Sequence, residues 1–170
     1  MLSKNLQAAI NEQINKEFFS EYLYLSMAAH CNTANMDGFA NYFLVQAQEE
    51  HFHAMKFFNF VNDRGGKVEL KAIAGPKVHF KSLIEIFEET LEHEKLVTAS
   101  INKLMDIAIK EKDHALISFL KWYVDEQVEE ESTVGKILHK LKLIDGDGHG
   151  LLMIDSELAA KVFTPPAENN

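Results

Sequence analysis

The chain has 170 residues, enough for one domain with a substantial core. Its formal net charge of −9 works against nucleic acid and anionic membranes as partners and suits cations. A single cysteine, Cys31, excludes an intramolecular disulfide and a cysteine-rich zinc or iron–sulfur site, and reads as a small residue near a helix end. No stretch approaches the ~18 uninterrupted apolar residues of a membrane span. Met1-Leu2-Ser3-Lys4-Asn5 lacks the apolar core of a signal peptide, so the cytoplasm is expected.

A first helix is predicted over residues 4–33, with Ser3 as N-cap and neither Pro nor Gly inside. Its stripe is Leu6, Ile10, Ile14, Glu17, Glu21, Tyr24, Ala28, in which Glu17 falls in line with the apolar residues and Glu21 is a weaker inhabitant. Residues 34–36 form a short connection, with Asn35 or Asp37 as the next cap. The second helix runs to about Arg64, where Gly65-Gly66 stops it. Phe39, Phe43, Gln46, Glu50, His53, Phe57 and Phe60 recur in steps of four and three, so they share one face. A short connection makes these two helices antiparallel neighbours.

Residues 65–81 are too long for a tight turn. About 15 extended residues cover ~50 Å, and a helix of about 28 residues is ~42 Å long. The segment can therefore run the length of a bundle, which would set the third helix parallel to the second. That helix opens at Ser82-Leu83-Ile84-Glu85, a capping-box pattern. Its stripe is Leu83, Phe87, Thr90, Glu94, Val97, Ile101, Leu104, Ala108. The fourth helix follows Asp113 as N-cap, with the stripe Leu116, Leu120, Tyr123, Gln127, Glu130, Val134, Ile137, Leu141. The helical pattern fades at Asp145-Gly146-Asp147-Gly148-His149-Gly150. A short last helix is expected from Ser156 to about Phe163, stopped by Pro165-Pro166, with a loose tail over 167–170. The expected architecture is all-α: a four-helix bundle (4–143) with one long crossover between the second and third helices, plus a short fifth C-terminal helix (156–163), in a single domain spanning 1–170.

Each long helix carries a polar break near its middle: Glu17, then Glu50 with His53, then Glu94, then Gln127 with Glu130. Midpoints of antiparallel helices lie at one level, so the breaks should meet in one layer of the core. Ionised carboxylates so close repel strongly at low dielectric, and cations relieve the repulsion. Oxygen-rich ligation with one imidazole favours iron or manganese over copper(I) or a thiolate zinc site. Four carboxylates balance two divalent ions, and Glu50-x-x-His53 places both side chains on one face.

Glu17, Tyr24, Glu49-Glu50-x-x-His53, Glu94, Trp122 and Glu126-Gln127-Val128-Glu129-Glu130, in this order and on these helices, make the chain resemble a bacterial-type non-haem ferritin from Leu2 to about Phe163. The resemblance implies a ferroxidase that oxidises Fe(II) with dioxygen or hydrogen peroxide. One iron would be held by Glu17, Glu50 and His53, and the second by Glu94, Glu130 and a bridging Glu50. It further implies that Gln127 orients oxygen or water and that Tyr24, and less directly Trp122, assists electron transfer. A third iron site would match Glu49, Glu126, Glu129 and Glu130; the plainer reading of Glu126, Glu129 and Glu131 is a solvated acidic face. A mineral core inside a homo-oligomeric shell of twenty-four subunits is implied as well, with the short last helix at the four-fold axis.

A bacterioferritin would carry a second Glu-x-x-His and a methionine after the bridging glutamate. Here helix four offers Gln127-x-x-Glu130 and His51 follows Glu50, so no haem is expected. A rubrerythrin-like peroxidase would need Cys-x-x-Cys pairs. A metal-free, cytokine-like interaction bundle would have no use for interior acids in one layer. Asp145 to Gly150 resembles an EF-hand opening, but the twelfth position is Ser156 rather than Glu. The remaining histidines, including His51, His79, His93, His114 and His139, read as surface residues. Glu111, Asp113 and His114, near the third turn, are candidate pore residues.

Overall fold

A computed structural model describes residues 2–165. Among them are five helices and no strand: α1 (Lys4–Thr33), α2 (Asp37–Asp63), α3 (Leu83–Glu111), α4 (His114–Ile144) and α5 (Gly148–Leu158). The sequence-derived stripes are the buried faces. Every stripe residue of the fourth helix is buried, as is every one of the third except Leu83. Glu21 leaves the core of α1 and meets His51 at the surface, 3.1 Å away.

The expected caps hold at three helices. Ser3 accepts from Leu6 N–H at 3.1 Å, Ser82 from Glu85 N–H at 3.1 Å, and Asp113 from Leu116 N–H at 2.9 Å. Such caps contribute about 1 kcal/mol each. Gly65 takes φ +67, the left-handed turn that ends α2. The second helix is capped differently from the expectation. Neither Asn35 nor Asp37 serves: the N-cap is Met36, with no side-chain bond. The carboxylate of Asp155, on α5, accepts from Gly38 N–H at 2.9 Å and Phe39 N–H at 3.0 Å. A cap supplied from 117 residues away leaves no local pattern to read. It also requires Gly38, where a Cβ would lie 1.7 Å from the Asp155 carbonyl oxygen.

The last helix is also displaced. It begins at Gly148 and ends at Leu158, upstream of the expected 156–163. Asp145 (φ 45) and Gly146 (φ 82) make a left-handed turn, and Asp147 then accepts from Gly150 N–H at 2.7 Å as N-cap. The glycines that read as a fading pattern are the turn and first residues of α5. The helix has ended before Pro165; Pro166 and the tail at 167–170 lie outside the described residues.

The crossover follows α1 from end to end. Lys67 N–H donates to Gln7, Glu69 N–H to Asn11, and Lys71 pairs with Glu12. Further on, Ser26 donates to the Lys77 carbonyl at 2.7 Å, and the His30 and Phe80 rings meet at 5.3 Å. The chain is thereby delivered to the far end, and α3 runs parallel to α2 and antiparallel to α1. At its opposite end α2 is fixed to α4 by Arg64, which pairs with both oxygens of Asp113 at 2.9 and 2.8 Å.

The core falls into two apolar halves. One is gathered around Tyr24, Phe39, Tyr42, Phe43 and Phe87 and takes in Ile154 and Leu158 of α5. The other holds Leu6, Ile10, Phe57, Leu116, Leu120 and Tyr123, with Phe57 and Tyr123 stacked at 4.2 Å. Each fully buried side chain of this size contributes ~1.5–3 kcal/mol. Between the halves lies a polar layer.

Candidate metal centre

Glu17, Gln46, Glu50, His53, Glu94, Gln127 and Glu130 are all buried, none more than 6% exposed. They come from four helices and occupy the gap between the two apolar halves, as the coincident midpoints require. Glu17, Glu50 and His53 form a tight trio whose ligand atoms all lie within 4.8 Å of one another. His53 Nδ1 sits 3.6 Å from Glu50 Oε2, too far for a hydrogen bond. Its ring is set by the Trp122 edge at 5.2 Å and by Tyr123, whose hydroxyl donates to the His53 carbonyl at 2.8 Å.

The partners of the four carboxylates differ. Glu17 accepts from Gln13 Nε2 at 2.8 Å on one oxygen, but its Oε2 has no donor, and neither does Glu50 Oε2. Glu94 is held on both oxygens, by the Tyr24 hydroxyl and by Gln127 Nε2 at 3.0 Å. Gln127 Nε2 also lies 3.3 Å from the Glu94 carbonyl. Glu130 accepts from Gln46 Nε2 at 2.9 Å.

Burial raises every carboxyl of the layer, and the charge of neighbouring carboxylates adds to it at Glu17, Glu50 and Glu130. Glu17 stands well above the usual carboxylate range because of burial and then the charge of Glu50. Glu50 is raised by burial and then by Glu94. Glu94 is raised by burial, against the hydrogen bonds from Tyr24 and Gln127. Glu130 is pushed up to about 8 by burial, then by Glu94 and Glu49. Bare carboxylate oxygens in a dry, self-repelling layer beside an imidazole fit a hard or borderline cation.

The residues matched to a third position surround the edge of this layer. Glu130 is buried, Glu49 and Glu126 are half-buried, and Glu129 is exposed. Burial, first of all, raises Glu126.

Four contributors carry no site role in the sequence reading, although Gln46 and Tyr123 lie on its stripes. Gln13 and Gln46 each precede a ligand-type glutamate by four residues; that spacing was a usable signal. Tyr123 reads as core from its place on the apolar stripe. Lys161 gave no signal at all: it follows the last helix, and its ammonium reaches Glu49 Oε2 at 2.9 Å and hydrogen-bonds Gln46 Oε1. Glu111 and Asp113 are engaged, by Asn5 and by Arg64. Among the described residues, no helix is long and apolar enough to cross a membrane.

A family model for the ferritin-like domain matches residues 7–144. The chain is 45% identical over 163 residues to a bacterial non-heme ferritin of Staphylococcus aureus, covering 96% of this chain and 98% of that one. It is 47% identical to the corresponding protein of Staphylococcus haemolyticus, with the same coverage. Among solved structures it is similar to the open pore ferritin of the hyperthermophilic archaeon Archaeoglobus fulgidus, with a TM-score of 0.95, 46% identity, and 95% and 100% of the two chains covered. A humanized archaeal ferritin aligns with a TM-score of 0.96 and 46% identity over 97% and 100%.

Proposed function

The chain belongs to the ferritin family, as a non-haem ferritin of the bacterial type, and from that premise we propose that it stores iron by oxidising it first. Iron storage comes with the family; the ferroxidase reaction, its residues and the shell are our reading. Residues 1–170 act as one cytoplasmic domain that assembles into a shell of twenty-four copies around a mineral core. The observation that carries the reading is the pair of buried carboxylate oxygens without donors, Glu17 Oε2 and Glu50 Oε2, beside His53.

In this mechanism Fe(II) is the substrate. The first ion is taken by Glu17, Glu50 and His53, and the second by Glu94, Glu130 and the same Glu50. Entry of two divalent cations neutralises the layer and displaces its carboxyl protons. Each Fe(II) gives one electron to dioxygen, which leaves with two protons as hydrogen peroxide; hydrogen peroxide can itself serve as oxidant and leave as water. Four carboxylates favour Fe(III) over Fe(II) because they stabilise the higher charge more. Gln127 places the oxidant or water by hydrogen bonding, and Tyr24, in contact with Glu94, assists the transfer of the iron electrons to the oxidant. Fe(III) then hydrolyses, releases protons and moves to the core. Glu49, Glu126, Glu129 and Glu130 hold a third ion on that route.

The test is anaerobic loading with Fe(II) followed by oxygen, watched by absorbance with size-exclusion chromatography in parallel. A fast rise saturating at two Fe(II) per chain, carried by a shell-sized particle, is expected. Oxidation no faster than in protein-free buffer, or a protein that remains monomeric, overturns the reading.

A further inference from the structure

Beyond α5 the chain turns back along α2 to the polar layer. Asn41 Nδ2 directs this path by donating to the carbonyls of Leu158 at 3.1 Å, Ala159 at 3.3 Å and Lys161 at 2.9 Å. Two residues later the Phe163 ring meets Phe52 at 6.0 Å. Between these two anchors the ammonium of Lys161 is held in place. It lies 4.8 Å from the Tyr42 ring centroid, 2.9 Å from Glu49 Oε2, and hydrogen-bonds Gln46 Oε1. Gln46 in turn donates to Glu130 Oε2 at 2.9 Å. The side chain of Lys161 is 28% exposed and that of Glu49 is 18% exposed, so the pair is largely out of water. Its positive charge is felt beyond Glu49, lowering the carboxyls of Glu126 and Glu130 against the burial that raises them.

We infer that Lys161 is the resident counter-ion of the third cation position, and that a metal ion binding there displaces it. The inference rests on the reading of Glu49, Glu126, Glu129 and Glu130 as a third site. A single ammonium neutralises part of that cluster, and a divalent ion must break the Lys161–Glu49 contact to replace it. The third position is therefore weaker than its carboxylates alone would make it. An ion held weakly at the edge of the layer can leave, as transfer toward a mineral requires. The segment 159–163 then has two states: docked on Gln46 and Glu49, or released with the third ion bound.

The test uses the assembled, metal-free protein, titrated calorimetrically with Zn(II) and, under argon, with Fe(II). Lys161→Met keeps the stem against Tyr42 and removes the charge. It should tighten the third binding event by about tenfold while leaving the first, at Glu17, Glu50 and His53, unchanged. Lys161→Arg should restore the weak third event, and Glu49→Gln should remove it, which marks it. Hydrogen exchange across residues 159–163 should quicken when the third ion binds to the wild type.

If Lys161→Met leaves the third affinity unchanged while Glu49→Gln still removes that event, the counter-ion role is overturned and the third site stands. Two events only, in both the wild type and Lys161→Met, overturn the third site and the counter-ion together. Weakening of all events in Lys161→Met identifies a purely structural lysine and also overturns the inference.

Discussion

Glu17 and Glu50, on α1 and α2, each keep one buried oxygen without a donor, whereas on α3 and α4 Glu94 is held on both oxygens and Glu130 accepts the amide of Gln46. The residue type and the burial are the same. The first half is therefore costly as it stands and ready for a cation; an unsatisfied buried polar group destabilises by ~1–3 kcal/mol, more when charged. The second half is satisfied by neutral donors and must give up hydrogen bonds to take an ion. The contrast implies an order of filling, with the Glu17–Glu50–His53 half first.

The largest effect expected on this contrast comes from Glu50→Ala. It removes the carboxylate proposed to serve both halves, so initial Fe(II) oxidation should fall by about 100-fold or more. Stopped-flow absorbance measures it, and an unchanged initial rate would remove Glu50 from the centre. The metal-free variant should melt higher than the wild type, because a buried oxygen without a donor is gone.

A smaller effect separates the two halves directly. Glu17→Gln should weaken the first Zn(II) binding event by about thirtyfold, whereas Glu94→Gln should spare the first event and weaken the second to a similar degree. Calorimetry distinguishes them. Equal losses of the first event in both variants would mean that the halves fill together.

The metal-free protein should also gain stability as pH falls from about 8, the value to which Glu130 is raised, toward 4.5, its ordinary value. In that window the folded carboxyl holds a proton that the unfolded chain has lost. Glu17, Glu50 and Glu94 are raised in the same direction and add to it. His93 opposes them: burial lowers it from 6.5 to about 4, so below 6.5 the unfolded chain takes up a proton that the fold refuses. Calorimetric melting temperature should thus rise from pH 8 to pH 6.5 and continue to rise, less steeply, below. Saturating Zn(II) should abolish the rise; a profile unaffected by metal would mean that the layer does not bind it.

Much of this centre was legible because its residues sit on long periodic helices. Glu17, Glu50, Glu94 and Glu130 each interrupt an apolar stripe at mid-helix, and a 3.6-residue period turns that interruption into a direction and a depth. The bundle, its long crossover and the convergence of the layer follow from the same periodicity. Where the structure departs, the determinant is distant or glycine-rich. Asp155 caps α2 from another helix, α5 starts within a glycine run, and Lys161 arrives on a segment without regular structure. Which carboxylates keep a bare oxygen was also out of reach. That depends on the rotamers of Gln13, Gln46 and Gln127, and all three amides look alike in sequence.

The smallest effect sharpens the same contrast from its satisfied side. Gln127 Nε2 donates to Glu94 Oε2 and contacts the Glu94 carbonyl and, at 3.4 Å, Thr98 Oγ1. Gln127→Leu keeps the volume and removes the donor, leaving Glu94 a bare oxygen like those of Glu17 and Glu50. If the amide only satisfies Glu94, the second Zn(II) event should tighten by about threefold, since no hydrogen bond need be given up, and oxidation should hold its rate. If the amide also places the oxidant, as proposed, the same variant should bind the second ion as well or better and yet oxidise Fe(II) about fivefold more slowly. Binding and rate moving in opposite directions separates placement of the oxidant from support of Glu94. A parallel loss of both would show instead that Glu94 needs Gln127 to keep its position. The two halves would then differ in rigidity rather than in readiness for a cation.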